Sequence, residues 1–406
     1  MTMRACVAAL VLLACLGVPS WAAAQSREPF DLAIGDAARK DRQVALAVDQ
    51  IHDTIRGVDV SPAEIAESLS DAAIVLVGES HTSHEAHRVQ AMVIEALHQA
   101  GRRVILGLEM FPASAPTAPF DRWIRGGLDE AALLREAGWY DYWGYPFDYY
   151  REIFDIARRH RLTIRGVNAP RAIISGVGRR GLSGIGAMDR AQLPPTIDTT
   201  NAEHRQLFVA YVGGGSATHG AGMPPEMLQR MIDAQSTWDA TMAQQAAQLH
   251  ADAKDPKAVV VVLVGSGHVA YGLGIAHQAR AYTEARVATV MPVAATPGTP
   301  EQVRASLGDI LWGVPTETYP LYPTLGVSFR SSGEQPNTVL MVSPGSPAEA
   351  LGIKPGDVLS ALDDTPIRKD VDVRAWIDRK VWGDAVRATV QRGTETLTLD
   401  GRLRRR

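Results

Sequence analysis

The chain has 406 residues, with 41 Lys and Arg against 45 Asp and Glu and a formal net charge of −4. That length is enough for two domains with sizeable cores, and so small a charge gives no reason to expect a nucleic-acid partner. Cysteine occurs only at Cys6 and Cys15, so without its first residues the chain has neither disulfides nor thiol chemistry, and any metal site must use His, Asp, Glu, Asn or Tyr.

Met1–Arg4 is a short positive stretch, Ala5–Leu16 is apolar, and Ala22-Ala-Ala24 offers a small-residue cleavage site before Gln25. These features predict an export signal over residues 1–24 and an exported, periplasmic protein. Leu12-Leu-Ala-Cys15 also resembles a bacterial lipoprotein processing box, which would add a membrane anchor through Cys15. No later segment has the long uncharged apolar run of a transmembrane helix. Residues 25–70 form a polar lead-in, with a helix expected from Gln43 to Ile55.

A first strand then ends at Gly78. Thr82-Ser-His-Glu85 has the form of a capping box and opens a helix to about Gln99. After a second strand come helical segments near Pro119–Arg125 and Leu128–Ala137, an aromatic cluster from Trp139 to Tyr145, and a helix near Phe147–His160. A third strand follows, then a Gly-rich stretch to about Pro195 in which no element is legible. Further helices are expected near Ala202–Val212 and from Pro225 to about Ala251, then a fourth strand, a helix from about Gly272 and a last strand at Arg286–Pro292. This alternation predicts an α/β domain over residues 71–313, a mostly parallel sheet with helices on both faces. From Val293 the chain is turn-rich, and a linker is expected at 314–321 before a small β-rich module over 322–404.

Four apolar runs end in chemically capable residues: Ile74-Val-Leu-Val-Gly-Glu79-Ser-His81, Val104-Ile-Leu-Gly-Leu-Glu109, Thr163-Ile-Arg-Gly-Val-Asn168 and Val259-Val-Val-Val-Leu-Val-Gly-Ser-Gly-His268. Short β-branched runs between helices read as buried parallel strands. In open α/β sheets, ligands sit outside the carboxyl ends of such strands, which predicts one crevice holding Glu79, His81, Glu109, Asn168 and His268. An extended chain across the first turn sends Glu79 and His81 to the same side. Two carboxylates and two imidazoles can bind a divalent cation, through His81 and His268, or share general acid–base work. His84, His87 and Arg88 are read as a solvated helix face.

With Thr324-Leu-Gly-Val-Ser-Phe329, the Pro/Gly-rich stretch Val342–Leu359 and the segment Asp370–Arg379, residues 322–404 resemble a bacterial-type PDZ domain. Thr324-Leu-Gly-Val-Ser-Phe329 looks like the carboxylate-binding loop, which assigns peptide binding to Leu325, Gly326, Val327 and Phe329. Val342–Leu359 looks like the short helix, turn and strand of these domains, and Asp370–Arg379 like the helix beside the groove. The resemblance implies capture of an extended peptide or protein C-terminus by β-augmentation. The chain has no Gly-x-Ser-x-Gly nucleophile signature, so a serine protease is not expected.

Residues from about Asp71 to Trp312 resemble the ChaN family of haem-binding uptake proteins within the Tiki superfamily. The matching pieces, in order, are Gly78-Glu-Ser-His81, Leu108-Glu-Met-Phe111, Tyr149-Tyr-Arg151, Asn168-Ala-Pro-Arg171, Ala234–Ala243 and Gly265–Gly274. The resemblance implies haem or iron handling at the bacterial envelope. In that reading Tyr142, Tyr145, Tyr149 and Tyr150, or His84 and His87, are candidate iron ligands, and Arg171 meets a propionate. The superfamily also holds metal-dependent proteases and erythromycin-esterase-like hydrolases. That alternative implies a divalent metal: Glu79 or Glu109 serves as general base, His81 and His268 hold the metal or an oxyanion, and Asn168 orients substrate. A homodimer sharing a ligand is compatible with either reading.

Overall fold

A computed structural model describes residues 28–212, 224–330, 335 and 337–405; the expected export signal, with Cys15, lies outside the described residues. The described residues pack as two compact units, one drawn from 28–137 and 151–317, the other from 138–150 and 318–405.

The first unit is built on an eight-stranded sheet. Its strands are β2 (Ile51–Asp53), β3 (Val58–Asp59), β4 (Ile74–Glu79), β5 (Arg103–Pro112), β6 (Thr163–Asn168), β7 (Ala258–Gly265), β8 (Val287–Ala295) and β10 (Ile310–Pro315). Two further strands, β1 (Gln43–Leu46) and β9 (Glu301–Arg304), form a separate antiparallel pair. The large sheet runs β3-β2-β10-β8-β4-β7-β5-β6. It is parallel from β10 to β6, with β2 and β3 antiparallel at one edge. All five predicted strands lie in the parallel part, and β7 sits between β4 and β5. Val259–Val264 is fully buried at every position, because both faces of a parallel sheet are covered and alternation has no solvent side to serve.

Helices α1 (His84–Gln99), α2 (Arg151–His160), α3 (Arg171–Arg180), α4 (Ala202–Val212) and α5 (Pro225–Ala253) supply the connections that carry the site. Long α5 buries Ser236, Thr237, Asp239 and Thr241. The Thr237 and Thr241 hydroxyls donate to the carbonyls four residues back, Asp233 O at 2.6 Å and Thr237 O at 2.7 Å, so these buried donors stay satisfied.

Several local expectations are corrected. The helix expected over Gln43–Ile55 is instead β1, a turn and β2. Burial alternates along Gln43–Leu46, and Asp49 has φ of 63°, a left-handed turn residue that breaks a helical path. The capping box at Thr82 is displaced by one residue: Ser83 caps α1, its hydroxyl accepting from Ala86 N at 3.1 Å, while Glu85 pairs with Arg88. The helix expected from Gly272 starts at Ile275, because Tyr271 and Gly272 both have positive φ. Strand β8 is not the last, since the Pro/Gly-rich Thr296–Thr299 stretch is a tight turn into β9 and β10.

In the second unit, β11 (Val327–Phe329) pairs with β12 (Val339–Val342), and β13 (Val358–Leu362), β14 (Thr365–Pro366), β15 (Ala385–Arg392) and β16 (Glu395–Arg402) form an antiparallel sheet. Helices α6 (Pro347–Leu351) and α7 (Asp370–Ile377) complete a core centred on Phe329, Leu359, Trp376 and Val390.

Candidate functional site

Strands β4, β7 and β5 lie side by side, so whatever follows their carboxyl ends converges. Glu79 is the last residue of β4 and is 2% exposed. Its Oε1 accepts from His81 Nδ1 at 2.7 Å, as the extended turn predicted, and its Oε2 accepts from Gln90 Nε2 at 2.8 Å. His87 Nε2 lies 3.2 Å from the same oxygen. Burial opposes ionisation of this carboxyl, but the His87 charge and the hydrogen bonds of His81 and His87 outweigh it and hold the group well below the usual carboxylate range.

Glu109 stands where β5 leaves the β7 ladder: pairing runs from Arg103 to Leu108 and stops there. Its Oε2 accepts from Gly265 N at 2.7 Å, and its Oε1 lies 3.5 Å from His268 Nε2. On the far side of that imidazole, Nδ1 donates to Asp239 Oδ1 at 2.5 Å, with the Gln235 carboxamide 2.9 Å away. Asp239 Oδ2 lies 3.4 Å from His204 Nε2. Glu109, His268, Asp239 and His204 thus form an alternating acid–imidazole chain from the strand ends into α5 and α4. Burial disfavours a charged His268, yet Asp239 and then Glu109 more than compensate, and its pKa is pushed up to about 10. Burial likewise opposes the charge on Asp239 and Glu109, and His268 beside each holds both below their ordinary values.

His81 joins the two groups. A Cβ on Gly265 would lie 3.1 Å from His81 Cε1, 3.5 Å from its Nε2 and 3.7 Å from Glu109 Oε2. Glycine at this position therefore lets the imidazole and the second carboxylate close over the end of β7. Burial depresses the His81 pKa, but the Glu79 hydrogen bond and the Glu109 charge raise it above the ordinary value. Its side chain is 27% exposed, against 2%, 4% and 10% for His87, His204 and His268. His81 is the site's imidazole with most access to solvent.

The structure brings Glu79, His81, Glu109 and His268 together, as the strand-end argument requires. Asn168 adjoins them, but both ends of its carboxamide are engaged within the protein, Nδ2 to Glu109 O at 2.8 Å and Oδ1 from Ala169 N at 2.7 Å. Arg171 is exposed in the first turn of α3. The solvated face assigned to His84, His87 and Arg88 holds for Arg88 only: His87 is 2% exposed and His84 half-buried, because the buried Glu79 charge needs a partner from α1. Sequence reasoning offered His87 only as a solvated residue or an iron ligand, not as the partner of Glu79, and gave no role to Gln90, Gln235, Asp239 or His204. Gln90 lies three residues after His87 on one helical face, and Asp239 four after Gln235, and that spacing was the available signal.

The four tyrosines sit in the second unit. Tyr149 and Tyr150 are 3% and 0% exposed, Tyr142 is 39% exposed and Tyr145 half-buried. The Tyr150 hydroxyl accepts from Trp143 Nε1 at 3.2 Å and that of Tyr149 from Tyr322 N at 3.4 Å. In the groove loop, Leu325 and Phe329 are core residues at 3% and 6% exposure, Val327 is partly buried, and Gly326 has φ of 79°. Among the described residues no group of three or more His, Cys, Asp or Glu is arranged to hold a metal ion, and no helix is long and apolar enough to cross a membrane.

A doubly covered, mostly parallel sheet defines an α/β protein, here followed by a small β-rich module, and the ionisable groups gathered beyond its strand ends form a candidate ligand site. The chain belongs to the ChaN-like haem-binding uptake family of the Tiki superfamily, whose sequence profile matches residues 65–279, and residues 323–403 match the PDZ domain. Among solved structures it is similar to one described as cofacial heme binding to ChaN of Campylobacter jejuni, at 17% identity over 64% of this chain and 95% of that one, with a TM-score of 0.49. It is also similar to the type III effector HopBA1, at 13% identity over 63% of this chain and 94% of that one with a TM-score of 0.37, and to an erythromycin esterase mutant in its open conformation, at 12% identity over 76% and 87% with a TM-score of 0.33. No curated protein matches the chain.

Proposed function

We propose that this chain binds haem through its α/β domain, with His81 as the iron ligand, and that the leader at residues 1–24 exports it to the bacterial envelope. Membership of a haem-binding family supports the first part. The observation that carries the choice of ligand is the Glu79–His81 pair: a carboxylate fixing Nδ1 at 2.7 Å on a partly exposed imidazole. A carboxylate so placed fixes the tautomer, orients the ring and raises the basicity of Nε2. This donor set fits haem iron, and haem would supply a redox-active, ligand-exchanging iron at the mouth of the site. Exposed Arg171 offers a guanidinium for a propionate. A tyrosine ligand would instead mean a separate haem site on the second unit, at Tyr142, since the hydroxyls of Tyr149 and Tyr150 lie in a packed aromatic group. The PDZ module is assigned a peptide or protein C-terminus as its partner.

A haemin titration of the purified protein, followed by its Soret band, tests this. Saturable binding that His81→Ala weakens at least about tenfold and Tyr142→Phe leaves alone is the expected result. Loss with Tyr142→Phe alone moves the ligand to the tyrosine, and absence of saturable binding in the wild type defeats the haem reading.

The Glu109–His268–Asp239 chain favours a second reading, hydrolysis. An imidazolium kept charged by Asp239 can donate a proton or stabilise an oxyanion, while Glu109 accepts a proton. Ester hydrolysis that is lost in His268→Ala but survives in His81→Ala would select it.

A further inference from the structure

The aromatic segment Gly138–Tyr150 leaves the α/β domain after Ala137, rejoins it at Arg151, and packs with the PDZ module. Its attachment is to one face of α7. Asp370, Arg374 and Asp378 recur every four residues, while Val373 and Ile377 turn into the module's core. Arg374 Nη1 donates to Tyr140 O at 3.1 Å, Phe147 N donates to Asp378 Oδ1 at 2.9 Å, and Lys369 Nζ reaches Asp141 Oδ1 at 3.3 Å. Tyr149 stands edge-on to Tyr322, ring centroids 4.7 Å apart, and accepts the Tyr322 backbone N–H.

The segment also holds itself together. Trp139 packs on Phe147 and Tyr150 at 5.1 and 5.3 Å, and its Nε1 donates to Tyr145 O at 3.0 Å. Among the contacts that fasten this preassembled aromatic knot to the module, the Lys369–Asp141 pair is more than half exposed on both sides. Exposed pairs of this kind contribute little, so this is the contact that opens first.

We propose that Gly138–Tyr150 is a releasable strap, an internal ligand of the PDZ module that docks on the Asp370/Arg374/Asp378 face of α7 and on Tyr322. Docked, it packs its own Tyr149 against Tyr322 and braces the helix beside the peptide groove. Because strap and groove share that helix, occupancy of one changes affinity for the other by a reciprocal factor.

Amide hydrogen exchange on the full-length protein tests this. In the wild type, amides of 139–150 exchange more slowly than an unstructured peptide but faster than those of β15. Arg374→Ala with Asp378→Ala accelerates them at least about tenfold, with β7 and β15 unchanged, whereas Asp378→Asn, which keeps the acceptor, retains protection. Unchanged exchange of 139–150 in the double variant, or opening in the wild type only together with β15, overturns the proposal. Should the double variant unfold the module, Tyr149→Phe, which removes only the hydroxyl facing Tyr322 N, accelerates exchange at 139–150 alone if the strap exists and nowhere if it does not.

Discussion

At the residue scale, the site's charges set a pH dependence with a definite sign. His268 has its pKa raised to about 10, so the folded state keeps a proton that the unfolded chain gives up above its ordinary value near 6.5. Its stabilising contribution is therefore complete below about 6.5 and is lost as pH rises towards 10. Glu79, Glu109 and Asp239 are held below their ordinary values and act at the other end, their contribution disappearing as pH falls below the usual carboxylate range. Urea midpoints measured from about pH 6 to about pH 10.5 are expected to fall over this interval, and Asp239→Asn to flatten that fall. A second expectation concerns Gly265→Ala. The added methyl lies 3.1 Å from His81 Cε1, and the partly exposed ring is free to shift by a few tenths of an ångström. Haemin affinity should drop while the urea midpoint changes by less than about 1 kcal/mol equivalent. Glu79, Glu109 and His268 were legible because they end apolar runs. Asp239 was not, since a lone Asp on a long helix rich in Gln, Ser and Thr looks solvated until its two imidazole partners arrive from other elements.

At the element scale, long parallel strands declared themselves and short edge strands did not. β7 is eight residues of nearly unbroken Val and Leu, a pattern only a doubly buried strand needs. β1 and β2, four and three residues long, carry too few apolar positions to distinguish alternation from helical spacing. Helix starts are as delicate, because the choice between Thr82 and Ser83 as cap turns on which backbone amide the hydroxyl reaches. The structure selects Ser83. Ser83→Ala should cost about 1 kcal/mol in urea unfolding and Thr82→Ala close to nothing; equal costs would return the cap to Thr82.

At the scale of the whole molecule, each unit has a hydrophobic core of its own, one around Val260, Met242 and Leu311, the other around Leu359, Trp376 and Val390. Damage to one core should therefore show in one part of the chain. Gly326 provides the test: its φ of 79° disfavours any side chain, and a Cβ there would lie 2.2 Å from Ser346 Cβ. Gly326→Val is expected to destabilise the PDZ module by about 3 kcal/mol, splitting a lower calorimetric transition from that of the α/β domain and leaving the haemin titration as in the wild type. A uniform downward shift of all unfolding would instead mean the two cores melt as one.

The position of β7 has a further consequence, for the order in which the molecule can be made. Strands β4 and β5 emerge early from synthesis, yet they do not pair with each other; the place between them belongs to a strand far later in the chain. Until Ala258–Gly265 arrives, Glu79 and Glu109 have no shared floor, and the amide of Gly265 that receives Glu109 does not exist. Contacts so distant in sequence are slow to form. Insertion of this one strand is expected to limit the folding rate, and refolding should slow when its central valines are shortened, even where final stability is little changed.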